Sequence, residues 1–378
     1  MPSPHSPERF AIIVIGAGST GRLAAHQLLE AGVGPIALLD RFSTIQDIDS
    51  STIGLLAPGT HQLPIRLVHS LGEQRSRQIW EVTRAALPPL RNWISQLNIP
   101  SDDGGWSFHS NHPAERAEIE NSTKLWEKWG HTPIFIPSTH PLGEGFHLPG
   151  PVQFSTDSWP FASIRSLRSR GVHVRWSSGV VSLGSQADGT QEVITSSGTL
   201  LSEFVYLATG WNTPQLVPSL SDHIYPVRLQ TLRTSPLAHR WTGHHSVRFG
   251  HDHFQQKPCG RFLIRGMRWA AQPDMGCGKT QKKIHPAIHK HQLDAVQSLF
   301  PGETVVTESV TSSIETFTSD DLPIIGPWPG NPRRFIACGF SGHGLLLGMV
   351  AAQQIAQSIS GQTRSTPPLT DLRPARFL

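Results

Sequence analysis

The sequence predicts an α/β fold that opens on a Rossmann-type βαβ unit. Three observations carry this reading. A short β-branched run, Phe10–Ile15, ends at Gly16-Ala17-Gly18-Ser19-Thr20-Gly21, which fits GxGxxG. An amphipathic stretch follows at once, and a second apolar run closes on Asp40. Beyond it, short apolar runs alternate with helical patterns, punctuated by 34 glycines and 31 prolines among 378 residues.

The elements follow in order. Phe10–Ile15 reads as a buried parallel strand. In residues 20–31, Ala24, Leu28 and Ala31 share one helical stripe with Ala25 and Leu29 beside it, and Gly32 and Gly34 stop it. Pro35–Leu39 is the second strand. Residues 63–99 carry a helical pattern through Leu67, Leu71, Ile79, Trp80, Val82, Leu90, Trp93 and Ile94, which Pro88–Pro89 divides. Residues 106–109 read as a strand, 113–129 as a helix, and 137–152 as a loop or boundary. Residues 158–170 read as a helix, and 172–176, 179–183, 191–196 and 204–208 as strands. Residues 227–231, 246–249, 262–265 and 269–271 are strand-like, and 287–299 helical. The chain then gives strands at 323–325 and 335–338, a glycine-rich loop, and a helix over 345–359.

Composition bounds the function. The hydrophobic fraction is 37% and the charged fraction 16%, which suits a soluble globular chain and excludes a disordered or coiled-coil one. The net charge is +4 and scattered, without a basic run, which argues against nucleic acid as a partner. The apolar runs are too short to span a bilayer; residues 1–9 are polar and Pro-rich, and the apolar stretch after them lacks a secretory layout. Cys259, Cys277 and Cys338 stand far apart, so a reducing, cytoplasmic location is the natural expectation.

The glycine-rich hexapeptide carries chemistry. Gly16 permits the tight turn, Gly18 lets backbone approach a pyrophosphate, and Gly21 lets helix and strand pack closely. A helix opening at Ser19 and Thr20 offers N–H groups and partial positive charge to an anion. Asp40 is placed to accept hydrogen bonds from a ribose. Its charge opposes a 2′-phosphate, favouring FAD or NAD over NADP, although Arg41 leaves an opening for that phosphate. Further on, DIDSSTIGLLAPG supplies the hydroxyls of Ser50, Ser51 and Thr52 and close backbone approach at Gly54, next to Leu55. VYLATG at 205–210, TSDDLPIIG at 318–326 and CGFSGHG at 338–344 complete the set.

In these segments, taken in order, the chain resembles the D-amino-acid oxidase, glycine oxidase and sarcosine oxidase superfamily of FAD enzymes. Both chain ends match specifically, whereas residues 60–150 and 213–305 match in texture only. The resemblance implies a Rossmann-type FAD-binding domain (1–60, 150–212, 310–365) interleaved with an α+β substrate domain (61–149, 213–309) of mixed sheet plus helices. Residues 366–378 would form a tail. It also implies that Val180 or Val181 meets the adenine through backbone. Ser50, Ser51 and Thr52 would lie near the pyrophosphate and ribityl chain, and Thr209, Gly210 and Trp211 on the cofactor side. Gly342, His343, Gly344 and Leu345 would lie at the flavin pyrimidine edge. A helix starting at Gly344 would aim N–H donors at the negative charge of reduced flavin.

The implied activity is oxidation of a C–N bond of an amino acid or secondary amine. A hydride passes to flavin N5, the imine hydrolyses, and O2 or another acceptor reoxidises the flavin. The oligomeric state is left open. Two positions depart from the family pattern. Glu315 stands where glycine oxidase and its close relatives carry the arginine that anchors the substrate carboxylate, so it either attracts a cationic substrate or faces away. Ser313 stands where monomeric sarcosine oxidases carry their flavin-linking cysteine, so the FAD is expected to be non-covalent. Arg228, Arg233, Arg265 and Arg268 remain as anion anchors, with Arg228 and Arg265 taken forward. His343 either tunes the flavin and holds a proton near neutral pH or serves as a spacer. Two other readings stand beside this one: a tRNA side-chain oxidase of the same superfamily, and a non-catalytic FAD-binding subunit suggested by Glu315. No metal site is expected. His244–His245 and His251-Asp252-His253 lack a third ligand at a recognised spacing and read as solvated polar surface.

Overall fold

The structure is a computed structural model, and it describes residues 7–45, 54–238, 241–361 and 369–378. The chain opens with β1 (Arg9–Ile15), α1 (Ser19–Glu30) and β2 (Ile36–Leu39). There follow β3 (Leu55–Leu56), α2 (Pro64–Leu71), α3 (Glu73–Gln96), β4 (Ser101–Asp102) and β5 (Trp106–Ser110). Next come α4 (Pro113–Lys128), β6 (Ile134–Ile136), β7 (Glu144–Leu148), β8 (Val152–Phe154) and α5 (Trp159–Ser169). Then β9 (His173–Arg175), β10 (Val180–Ser185), β11 (Gln191–Thr195), β12 (Gly198–Leu207) and the short α6 (Thr213–Leu216) follow. The last part holds β13 (Ile224–Pro236), β14 (His244–Val247), β15 (Asp252–Gln256), β16 (Arg261–Arg265) and α7 (Pro286–Leu299). It closes with β17 (Thr307–Thr318), β18 (Ile324–Trp328), β19 (Asn331–Cys338) and α8 (Gly344–Ser360). This is the mixed α/β fold that the βαβ opening predicts.

The chain divides into two compact units. The first takes residues 1–47, 158–225 and 316–378, and the second 48–157 and 226–315. In the first unit, β9, β2, β1, β12 and β19 lie side by side and parallel, while β10, β11 and β18 pair antiparallel. Strand β12 changes partner along its length: residues 198–202 pair with β11 and residues 205–207 with β19. Ile13, Ile15, Val205, Leu207 and Ile336 are buried together, as near-continuous apolar runs in a parallel sheet require. Helix α8 packs along α1, where Gly348 would bring a β-carbon within 3.3 Å of Leu23.

The second unit is built on a sheet in the order β17-β13-β16-β15-β14-β5-β7-β6. Helix α7 covers one stretch of it, with Ile288 and Val296 packed among Leu232, Phe262 and Ile264. A second core gathers Trp80, Trp106, Phe108, Trp126 and Trp129. Each such side chain contributes roughly 1.5–3 kcal/mol on burial, so this aromatic cluster is a principal anchor of helices α3 and α4.

Three expectations need correction, and one strand went unread. Pro88–Pro89 does not divide the 63–99 helix; both lie inside α3, and the break falls at Gly72, whose φ of 80° ends α2 and starts α3. Pro88 is exposed, as is Arg84 four residues before, so water takes the place of the lost hydrogen bond. The 137–152 loop contains β7, disguised by Gly145, where a β-carbon would lie 1.8 Å from the Phe108 carbonyl oxygen. Residues 269–271 form no strand; Arg268–Ala270 is a 3₁₀ turn. Strand β17 escapes notice because its 12 residues hold few apolar side chains and it lies at the sheet edge.

Candidate cofactor site

Parallel strands β1, β2, β12 and β19 all run the same way, so the loops that follow them emerge at one edge of the first unit's sheet. These loops are Gly16–Gly18, Asp40–Phe42, Ala208–Asn212 and Gly339–His343. In open α/β sheets a ligand binds outside this carboxyl edge.

The first loop is built as its glycines demand. Gly16 has φ of 103°, and a β-carbon there would lie 2.4 Å from the Ala208 carbonyl oxygen. At Gly21 a β-carbon would lie 1.8 Å from the Gly16 carbonyl oxygen, so α1 presses directly on the turn. Gly18 differs, since a β-carbon there would meet nothing within 4 Å. The chain leaves space where a pyrophosphate would approach. No side chain caps α1, which carries no acid in its first turn, so its N-terminal N–H groups face that space.

Asp40 holds this loop in place. One carboxylate oxygen accepts from the Ala17 N–H at 2.8 Å and the other from the Phe42 N–H at 3.0 Å. Each oxygen keeps a lone pair for a ribose hydroxyl. Arg41 donates to the Asn212 side chain at 3.1 Å and lies 5.7 Å from the Trp211 ring centre. Sequence reasoning missed Arg22. Its side chain is fully buried, donates to the Ala17 carbonyl at 2.9 Å and stacks over Trp159 at 5.7 Å. It sets a guanidinium under the glycine loop. Its place directly after the motif gives no sign in the sequence that it is buried.

On β10, a bulge between Val180 and Ser182 leaves Val181 out of the ladder, 66% exposed, with backbone groups unpaired to β11. Thr209 shares a 2.8 Å hydroxyl–hydroxyl bond with Thr213, and Gly210 turns at φ of 55° against Thr316. The fourth loop turns through Gly339, Ser341 and Gly342, all at positive φ, and delivers His343 and Gly344 to the start of α8. Leu345 is half-buried there. No side chain caps α8 either. Both ring nitrogens of His343 are shielded from solvent. Burial pulls its pKa down to about 4, against a smaller opposing pull from a backbone bond at Ser341. Burial there disfavours the charged form of His343.

Ser50, Ser51 and Thr52 fall outside the described residues. Gly54 and Leu55 belong to the second unit, and the close approach at Gly54 is to the Phe154 carbonyl oxygen, 2.3 Å from where a β-carbon would sit. The TSDDLPIIG segment is structural: Thr318 donates to the Leu322 carbonyl, and Asp320 is gripped by Arg376 at 2.7 Å.

In the second unit, the sheet brings two candidates together. Arg265 on β16 and Glu315 on β17 form an ion pair at 2.6 Å, with 8% and 15% of their side chains exposed. Arg228 is not with them. Thr231 pairs in register with Arg265, while Gln230 reaches Gln292 on α7, so alternation sends Arg228 to the α7 side of the sheet. Arg233 is paired with Asp157, and Arg268 bonds the Met275 carbonyl. Lys257, also passed over in the sequence, donates to the Phe154 carbonyl, and burial lowers its pKa to about 8. Of the histidines expected at a solvated surface, His251 is exposed and His253 half-buried, whereas His244 and His245 are buried, at 0% and 6% exposed.

A model of the DAO family, described as FAD dependent oxidoreductase, matches residues 11–358. The chain belongs to this family. Its cofactor is FAD, and the open space at Gly18 with two uncapped helix starts fits that group. Human mitochondrial dimethylglycine dehydrogenase is 22% identical over 374 residues, covering 90% of this chain and 41% of that protein. The chain thus spans about two-fifths of the length of the curated relatives it matches. Glycine oxidase from Geobacillus kaustophilus superposes with a TM-score of 0.82 at 18% identity, covering 97% of this chain and 98% of that one. L-proline dehydrogenase from P. horikoshii gives 0.79 at 16%, with 98% of each chain covered. These likenesses show the fold. Among the described residues no helix is long and apolar enough to cross a membrane.

Proposed function

We propose that the chain oxidises a C–N bond of an amino acid or secondary amine, using non-covalently bound FAD. The observation that carries this is the four-loop edge of the first unit's sheet, in a chain whose family is FAD dependent oxidoreductase. FAD, when bound, supplies the acceptor for a hydride leaving the substrate carbon. The substrate nitrogen loses its proton, and water hydrolyses the resulting imine to a carbonyl compound and ammonia, or an amine where the nitrogen is substituted.

The chain's own residues bind and orient. In this reading the α1 N-terminus and buried Arg22 receive the pyrophosphate, Asp40 the ribose, and the extruded backbone at Val181 the adenine. The α8 N-terminus beside Gly344 faces developing negative charge on the ring system. Neutral His343 lines that loop without supplying a charge. The Arg265–Glu315 pair presents both signs of charge on one sheet face, which suits a zwitterionic substrate better than a lone arginine would. The buried thiol of Cys338, pushed up to about 12, is a poor nucleophile for a flavin link.

An anaerobic amine screen tests the reading. Purified protein should be yellow, should release its flavin on acid precipitation, and should bleach with at least one secondary amine or amino acid. Flavin that stays oxidised with every amine would instead indicate a non-catalytic FAD-binding chain. Peroxide on aerobic turnover would mark O2 as the acceptor; dye reduction alone would mark a dehydrogenase.

A further inference from the structure

Three histidines far apart in sequence meet in the second unit. Strands β5 and β14 are parallel neighbours, with His245 in register with Ser107. His109 lies two residues beyond Ser107 and so shares that face. His140 comes from the turn before β7. One ring nitrogen from each lies within 4.8 Å of the other two.

The hydrogen bonds fix where the protons are. His109 Nδ1 lies 3.1 Å from the Gly143 carbonyl oxygen, and His245 Nε2 lies 2.9 Å from the Thr242 carbonyl oxygen. A carbonyl only accepts, so both nitrogens carry hydrogen. A neutral imidazole has one such hydrogen, which leaves His109 Nε2 and His245 Nδ1 as bare lone pairs. These two nitrogens face each other at 2.9 Å. The ring centres are 5.2 Å apart and the planes differ by 24°, so both nitrogens lie close to the line joining the rings. Lone pair is aimed at lone pair, an arrangement that repels unless a cation joins it. A proton or a metal ion can join the two; a metal ion also accounts for the third ring, whose nitrogen lies within 4.8 Å of both others.

We propose that His109, His245 and His140 bind one divalent cation of the zinc class. Imidazole nitrogens suit zinc, copper or nickel rather than calcium or magnesium. Backbone carbonyls orienting two ligand rings are the usual outer shell of such a site. Zn–N bonds of about 2.0–2.1 Å in tetrahedral geometry need ligand nitrogens spread slightly beyond the 2.9 Å of the metal-free pair. The His140 ring stacks on His109 with centres 4.4 Å apart and planes 22° apart, so it turns to bring a nitrogen onto the cation. It is half-buried, so the cation has a way in from solvent. Gly145 faces His109 across the β5–β7 ladder and adds no side chain there. Trp241 stands edge-on to His140 and His245 at 5.3 and 5.1 Å and walls the site. Three protein ligands leave a fourth position for water or an anion.

Tag-free, flavin-loaded protein, stripped with chelator, would be titrated with zinc chloride and cobalt chloride by calorimetry and absorption. One equivalent should bind per chain, with a tetrahedral cobalt spectrum. His140→Ala should weaken binding at least tenfold, and His69→Ala on exposed α2 should not change it. X-ray absorption at the zinc edge of wild-type protein should show scattering from two or three imidazoles, which decides the matter even if a variant fails to fold. Absence of stoichiometric binding, binding indifferent to His140→Ala, or an imidazole-free spectrum would overturn the site. So would nitrogen NMR showing a proton shared between His109 and His245 in zinc-treated protein.

Discussion

Gly18 and Gly21 stand three residues apart and answer to different demands. At Gly21 an added β-carbon collides with backbone; at Gly18 it meets open space. Gly21→Ala should therefore lower the melting temperature of flavin-free protein sharply or prevent folding. Gly18→Ala should melt like wild type and yet bind FAD at least tenfold more weakly, as read by flavin fluorescence. Asp40 is a second discriminating position, because both its oxygens accept backbone N–H groups. Asp40→Asn turns one acceptor into a donor against an N–H, at a cost of about 1–3 kcal/mol in urea denaturation. At this scale the sequence was informative where spacing itself is the signal. The glycines and Asp40 could be read because three-residue and strand-length intervals fix their positions. Arg22 could not, since a buried arginine looks in sequence like any helix-surface arginine.

Strands decide which side chains meet. Arg265 and Glu315 lie on β16 and β17, with β13 between them, and the pair is largely buried. Removing one partner leaves an uncompensated charge, which costs about 3–5 kcal/mol at such sites. Glu315→Ala should lower stability by that order in chemical denaturation. Glu315→Gln should retain the fold and raise KM for a zwitterionic amine roughly tenfold or more, with kcat less affected. Arg228→Ala should move neither stability nor KM to that extent. Elements with strong apolar periodicity, such as β1, α1, α7 and α8, were legible from the sequence. Those set by neighbours were not. Helix α3 keeps Pro88 and Pro89 because their face is solvated, and β7 hides a strand behind Gly145. The Arg265–Glu315 pair was invisible because sheet order, not sequence distance, brings it about.

Over the whole molecule, buried histidines set the response to acid. Burial lowers His26 and His343 to about 4, His109 to about 4 and His245 to about 3. Unfolded, each takes up a proton near pH 6.5. Between pH 6.5 and 4 the unfolded chain thus binds more protons than the folded one, so stability falls as pH falls through that window. Above about pH 7.5 these histidines are neutral in both states and contribute no slope. The melting temperature of flavin-free, metal-free protein should change little between pH 8 and 7 and drop steadily from 6.5 to 4.5. A flat profile across that range would show that these rings are hydrated in solution.

The pairing of β1 with β12 reaches further than the site. Arg9 lies beside Leu201, and β12 in turn needs residues 334–336 of β19. A ribosome releases the first strand long before its neighbours exist. The nascent chain must then carry an unsatisfied apolar ribbon through most of synthesis, and neither unit can mature while its remaining segments are still being made. Slow refolding from denaturant, dependence on holding chaperones during expression, and failure of fragments cut near residue 150 to fold alone all follow from that single juxtaposition.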